Sequence, residues 1–149
     1  VVATDSNPNA LHSVGLELAQ RPRPIRCVEG DLLAGQAGPF DVIAFNPPWI
    51  FGDVDELLDQ ALHYDDPALF ERFFDQALDA LAPDGRVVVV FSDIGRLVQP
   101  DVAHPIEGEL ARGRFRLVDK RRRKVKGAKT DRGRRRTKER VEVWELARV

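Results

Sequence analysis

An α/β fold built around a mostly parallel sheet is what three features of this sequence predict. Apolar runs at 1–4, 25–28, 40–45 and 87–91 have the near-continuous character of strands buried on both faces. Segments of helical spacing separate them, first Leu11, Val14 and Leu18, then Leu69, Phe70, Phe73, Phe74, Ala77, Leu78 and Leu81. The chain closes on two strand-like runs, 115–118 and 141–146, with no crossover helix between them, so these two are expected as antiparallel neighbours.

The elements follow in order. Asp5-Ser6-Asn7-Pro8 is a turn in which Asn7 caps a helix and Pro8 takes its first position, where the missing amide costs nothing. That helix reaches about Gln20 and is broken by Pro22 and Pro24. The strand at 25–28 ends at Glu29-Gly30-Asp31, and a loop at 35–39 leads to the strand at 40–45. A short helix is expected over 53–62 and a stronger one over 67–81, capped by Asp66 with one broad apolar face. Pro83-Asp84-Gly85 is a tight turn into the strand at 87–91, and a weaker helix is expected near 104–112. The glycine-containing stretch 120–139 reads as a basic, flexible loop between the last two strands.

A length of 149 residues fits one domain. No apolar run approaches the roughly 20 residues that span a bilayer, and the single cysteine, Cys27, excludes an intrachain disulfide. Both features suit a cytoplasmic protein. The net charge of −1 hides a division. Residues 1–110 carry six Arg against 19 Asp or Glu, a balance of −13, whereas 111–140 carry 16 Lys or Arg against three acids, a balance of +13. His12, His63 and His104 are far apart without a companion ligand set, so no metal site is expected.

In open parallel sheets, ligands sit beyond the carboxyl ends of the strands. Asp5, Asp31 and Asn46 each follow a strand there. An acid in that position accepts the hydroxyls of a ribose or an exocyclic amine; its alternative is a turn or helix cap. Asn46-Pro47-Pro48-Trp49 is more specific. Its prolines fix the backbone and remove two donors, so it cannot be a central strand. The Asn46 side-chain oxygen and the Pro47 carbonyl together accept from one –NH2 and turn its lone pair outward, while Pro48 and Trp49 offer rigid and aromatic surface to a flat group.

The run from Asp41 through Asn46-Pro47-Pro48-Trp49 resembles the (N/D)PP(Y/F/W) signature of class I S-adenosylmethionine-dependent methyltransferases that act on amino groups. The acids after the strands, Asp5 within 3–11 and Asp31 in Glu29-Gly30-Asp31-Leu32, and the turn over 81–86 fit the same family in order and spacing. The resemblance covers most of 1–95 and is most similar to the release-factor glutamine and small-domain enzymes. It implies a Rossmann-like methyltransferase sheet, mostly parallel with an antiparallel last strand. It also implies S-adenosylmethionine as cofactor, with Asp5 and Ser6 at the ribose, Asp31 and the Leu32 backbone at the adenine, and Asn46 between cofactor and substrate. Asn46 and Pro47 would be the catalytic pair, with Pro48 and Trp49 at the substrate, a glutamine side chain or a base in RNA or DNA. Trp49 stands where tyrosine is commoner.

Against that family the sequence starts in the second strand. The first strand and its glycine-rich loop are not present, and there is no methionine at position 1. Residues 1–149 are therefore expected to form a single partial methyltransferase domain. A missing N-terminal segment or a partner chain would complete the sheet, and this chain alone would bind cofactor weakly. Arg121, Arg122, Arg123 and Lys124, with Arg134, Arg135 and Arg136, are the expected contacts to RNA or DNA. With no aromatic in that segment, sequence-independent phosphate contact is favoured over base stacking. The alternative is a non-catalytic fragment that holds nucleic acid.

Overall fold

The computed structural model describes residues 1–18, 25–52, 63–125 and 139–149. Strand β1 (Val2–Asp5) leads into helix α1 (Pro8–Leu18) and strand β2 (Arg26–Glu29), and β1 pairs with β2 in parallel. Strands β3 (Phe40–Phe45), β4 (Ile50–Phe51) and β5 (His63–Tyr64) precede helix α2 (Leu69–Ala80) and strand β6 (Leu81–Ser92). Helices α3 (Ile94–Val98) and α4 (Pro105–Ala111) and strands β7 (Phe115–Lys124) and β8 (Arg140–Arg148) complete the chain.

Four strands form one sheet in the order β3-β6-β8-β7. β3 and β6 are parallel, and β8 runs antiparallel to both β6 and β7, as the strand–loop–strand pattern requires. β4 and β5 form a separate parallel pair. Asn7 caps α1 as expected, its Oδ1 accepting from the Asn9 amide at 2.9 Å. Asp66 accepts from the Ala68 amide at 2.8 Å, so α2 starts two residues later than its sequence signal suggests. The helix expected over 53–62 lies outside the described residues.

The core is built by α2 on one face of the large sheet. Phe70, Phe73, Phe74, Ala77 and Ala80 are buried along one side of the helix, against Ile43, Val87, Val89, Phe91, Trp144 and Leu146. Phe73 stacks on Phe45 with ring centroids 4.1 Å apart, and Phe74 meets Phe115 at 5.4 Å. Phe74 has no exposed surface. Phe74→Ala is expected to destabilise the fold by about 3–5 kcal/mol, read as a lowered midpoint in urea unfolding, because a ring-sized cavity opens where the sheet cannot close in.

The other face corrects the sequence expectation. Continuous apolar runs suggested strands covered on both sides, yet Val42 is 59% exposed and Val143 is exposed as well. Alternation puts Val42, Ala44, Val88, Val90 and Val143 on this face, and no described helix covers it. The edges of the two sheets also remain apart. β1 and β3 flank a groove of about 610 Å³ lined by residues 1–4 and 39–44, together with Leu33 and Gln36, with no ladder between the strands.

The basic segment is a second correction. Residues 120–124, expected in a loop, continue β7 and pair with 140–144 of β8. The strand is held because two of its cations turn inward: Lys120 Nζ lies 3.1 Å and Arg122 Nε 2.7 Å from the carboxylate of Glu142, which is 2% exposed. Trp144 Nε1 donates to the same carboxylate at 3.0 Å, and Lys120 sits over the Trp144 ring. Burial pushes the Glu142 carboxyl up, but the Lys120 and Arg122 hydrogen bonds prevail and hold it below the usual range. Val125 and Glu139 close the ladder with a backbone hydrogen bond of 3.1 Å, and 126–138, including Arg134, Arg135 and Arg136, lie outside the described residues.

His104 packs beside this cluster, 7% exposed, against Phe91 and Trp144. Its Nδ1 accepts from the Glu107 amide at the start of α4, which puts the single ring proton on Nε2. Burial, opposed by Glu107 and reinforced by Arg96, lowers its pKa to about 4. The unfolded chain therefore binds this proton first as pH falls. The His104 contribution is intact above about pH 6.5 and is lost as pH drops towards 4, a swing of roughly 3 kcal/mol. Urea titrations of the native protein and His104→Gln across that window are expected to differ in slope, the variant lacking this component.

Candidate active site

The ends of β1, β2 and β3 and the start of α2 enclose a cavity of about 810 Å³. Asp5 and Ser6 come to it from β1, Asp31 and Leu32 from the turn after β2, and Asn46 and Pro48 from the turn after β3. Parallel strands cause this convergence, since their carboxyl ends all point to one edge. Asp5 Oδ1 accepts from the Asn7 amide at 2.8 Å, so the turn reading of this acid holds for one oxygen. The other oxygen has no hydrogen-bond partner among the described residues.

Asp31 is exposed, and its carboxylate faces Arg72 of α2, with Nε at 3.3 Å and Nη2 at 3.4 Å. Arg72 is fixed from behind by a direct ion pair with Asp66. The hydrogen bond from Arg72, helped by the Ala68 amide, holds the Asp66 carboxyl below the usual range. Leu32 takes a left-handed backbone, φ 56°, which an L side chain adopts only under local constraint. The Ala34 amide closes the turn around it on the Asp31 carbonyl at 3.0 Å, and the Leu33 amide is held from α2, donating to Gln76 Oε1 at 2.6 Å.

The four residues of the Asn-Pro-Pro-Trp turn separate in space. Asn46 is exposed and Pro48 half-buried at the cavity wall, whereas Pro47 is fully buried. Trp49 packs against the core outside the cavity lining, with its Nε1 buried and without a hydrogen-bond partner among the described residues. A close approach locks this turn: a Cβ on Gly95 would sit 2.7 Å from the Trp49 carbonyl oxygen. Gly95→Val is expected to displace the turn and weaken any ligand that uses Asn46, measurable as a loss of ligand-induced thermal stabilisation.

Several lining residues escaped the sequence reading. His63, Tyr64, Asp65, Leu69, Arg72 and Phe73 arrive from β5, α2 and the link between them, 14 or more residues beyond the motif. Nothing in their local pattern marks them, because Arg72 and Phe73 read as ordinary positions of an amphipathic helix. Burial pushes the Tyr64 hydroxyl up, which keeps it a neutral donor. No cluster of metal-ligating side chains occurs among the described residues.

Parallel strands whose carboxyl ends meet at one cavity, with an antiparallel closing strand, make up the Rossmann-like α/β fold of class I methyltransferases. Residues 1–97 match the methyltransferase small domain family, and the chain belongs to it. The chain is 44% identical over 50 residues to the release factor glutamine methyltransferase of Deinococcus radiodurans, a match covering 34% of this chain and 18% of that protein. Its fold is similar to that of a ribosomal protein L11 methylase from Lactobacillus delbrueckii subsp. bulgaricus, with a TM-score of 0.60 and 20% identity over 99% of this chain and 57% of the other. It is also similar to M. jannaschii TYW2 in complex with AdoMet, with a TM-score of 0.56 and 14% identity over 100% of this chain and 58% of the other. The chain thus spans little more than half of these structures and less than a fifth of the curated relative. The cofactor of this family is S-adenosylmethionine, and the cavity suits it: carboxylates accept but do not donate, matching ribose hydroxyls and an exocyclic amine.

Proposed function

We propose that this chain carries the catalytic turn of an S-adenosylmethionine-dependent N-methyltransferase acting on a planar amide or amino nitrogen of a macromolecule, a glutamine side chain or a nucleic-acid base. The observation that supports this is the convergence of Asp5, Asp31 and Asn46 on one cavity. Asp5, beside Ser6, holds the ribose; Asp31 and the Leu32 backbone hold the adenine. The bound cofactor supplies an electrophilic methyl group. Asn46 Oδ1 and the Pro47 carbonyl accept from the substrate –NH2 and present its lone pair, so positioning supplies much of the acceleration. Pro48 forms the wall beside the nitrogen, and Trp49, packed inward, holds the turn in place.

Two further parts belong to this reading. A strand inserted between β1 and β3, parallel to both, would set them about 10 Å apart and fill the groove that separates them. A preceding segment of the parent protein, or a partner chain, supplies it and covers the exposed Val42 face. The cytoplasm is the setting this reading expects. No described helix is long and apolar enough to cross a membrane.

The test of substrate class is transfer of labelled methyl from S-adenosylmethionine by the full-length protein to total RNA and to release-factor protein. Label in either supports the enzyme and names its substrate; label in neither counts against it.

A second reading, a nucleic-acid-binding fragment without catalysis, is favoured by β7. Its basic end lies at the same sheet edge as Asn46, because Lys124 pairs with Arg140 and Val141 with Ser92. Arg121 is tied to Asp119 at 2.8 Å and Arg122 to Glu142, while Arg123 and Lys124 are exposed without an ion-pair partner among the described residues. These cations, continuing towards Arg134, Arg135 and Arg136 in the sequence, suit a phosphate backbone. RNA affinity that falls steeply with salt and drops on Arg123→Ala/Lys124→Ala, without methyl transfer, is the outcome this reading expects.

A further inference from the structure

The turn that presents Asp31 and Leu32 closes on itself, the Ala34 amide donating to the Asp31 carbonyl at 3.0 Å, and is held a second time from α2. Leu32 holds a left-handed backbone, and the Leu33 amide that follows finds its acceptor 43 residues away, at Gln76 Oε1, 2.6 Å distant. One helical turn earlier on α2, Arg72 spans two carboxylates, Asp66 by a direct ion pair and Asp31 by longer contacts of 3.3 and 3.4 Å. Residues four apart on a helix share a face, so a single stripe of α2 grips both the turn's backbone and its carboxylate. Asp66 also accepts from the Ala68 amide, which anchors Arg72 to the start of the helix. Asp31 keeps lone pairs free, since a carboxylate offers about four acceptor sites, and its side chain remains 57% exposed.

We propose that Arg72 and Gln76 are positioning residues for the adenine of the cofactor: Gln76 fixes the Leu32–Leu33 backbone at the ring edge, and Arg72, latched to Asp66, aims the Asp31 carboxylate at the exocyclic amine. This deepens the proposed function and rests on its placement of adenine at Asp31. It assigns specificity for a 6-amino purine to α2, a helix otherwise occupied in building the core. Arg72 also counters charge there, since Asp31, Asp65 and Asp66 all line the cavity; without it, the site would present carboxylates with no lining cation.

The experiment is calorimetric titration of S-adenosylhomocysteine, and of its analogue lacking the 6-amino group, into the full-length protein and its Arg72→Met, Gln76→Leu and Gln76→Glu variants. Native protein is expected to prefer the amino form. Arg72→Met should lose about tenfold in affinity for the amino form and little for the deaminated one, so that the preference collapses. Gln76→Leu should weaken both ligands, because the backbone edge serves the ring in either, while Gln76→Glu, which keeps the acceptor, should restore binding. Equal losses for both ligands in Arg72→Met, or no rescue by Gln76→Glu in a variant with native thermal stability, would overturn the proposal. Failure of the native protein to bind either ligand would instead sink the cofactor reading beneath it.

Discussion

Asn46→Ala is expected to reduce methyl transfer by about 100-fold or more while cofactor binding survives. The side chain stands exposed at the cavity wall and makes no side-chain hydrogen bond within the described residues, so the fold loses little on truncation. The substrate nitrogen loses one of two acceptors that orient its lone pair, and a misaligned nucleophile forfeits most of the advantage of proximity. A single precisely placed polar group in a preorganised site is commonly worth about 100- to 1000-fold in rate. Transfer measured at saturating substrate, with the dissociation constant of S-adenosylhomocysteine measured in parallel, separates the two effects. Loss of both together would make Asn46 a structural residue of the turn.

The second large effect concerns the sheet. Residues 1–149 are expected to bind cofactor at least about 100-fold more weakly than the same residues with a strand added to fill the groove, and to unfold at lower urea. Two observations motivate this. β1 and β3 face a common groove without pairing, so each leaves one row of backbone donors and acceptors without a strand partner. Val42, Ala44 and Val143 lie exposed on a face whose neighbours Val88 and Val90 are only half-buried. A strand seated in the groove pairs both edges and fixes Asp5 relative to Asn46, which now belong to separate sheets. Equal cofactor affinity in the two forms would show that the groove has no part in the site.

The parts of this architecture that are local were legible. Asn7-Pro8 announces the start of α1, and the spacing of Phe70, Phe73, Phe74 and Ala77 announces the buried stripe of α2. The Asn-Pro-Pro-Trp turn was legible because two prolines leave a backbone few alternatives. What failed to show was set by distance. β7 extends to Lys124 because Glu142, on a neighbouring strand, neutralises Lys120 and Arg122; a run of cations otherwise reads as a solvated loop. Arg72 and Gln76 lie on a helix whose periodicity speaks only of its apolar side, and their work is on a turn some 40 residues earlier. The close approach of Gly95 to the Trp49 carbonyl, which holds the turn, shows in no pattern near the motif.

Cofactor binding in the cavity at the ends of β1, β2 and β3 is the central proposal. Titration of S-adenosylhomocysteine into the full-length protein and its Asp5→Ala variant tests this most directly. Binding by the native protein with a loss of about 10- to 100-fold in the variant is the predicted result, since charge-assisted hydrogen bonds to ribose hydroxyls are removed. Native protein that does not bind, or an Asp5→Ala variant that binds equally well, would contradict it.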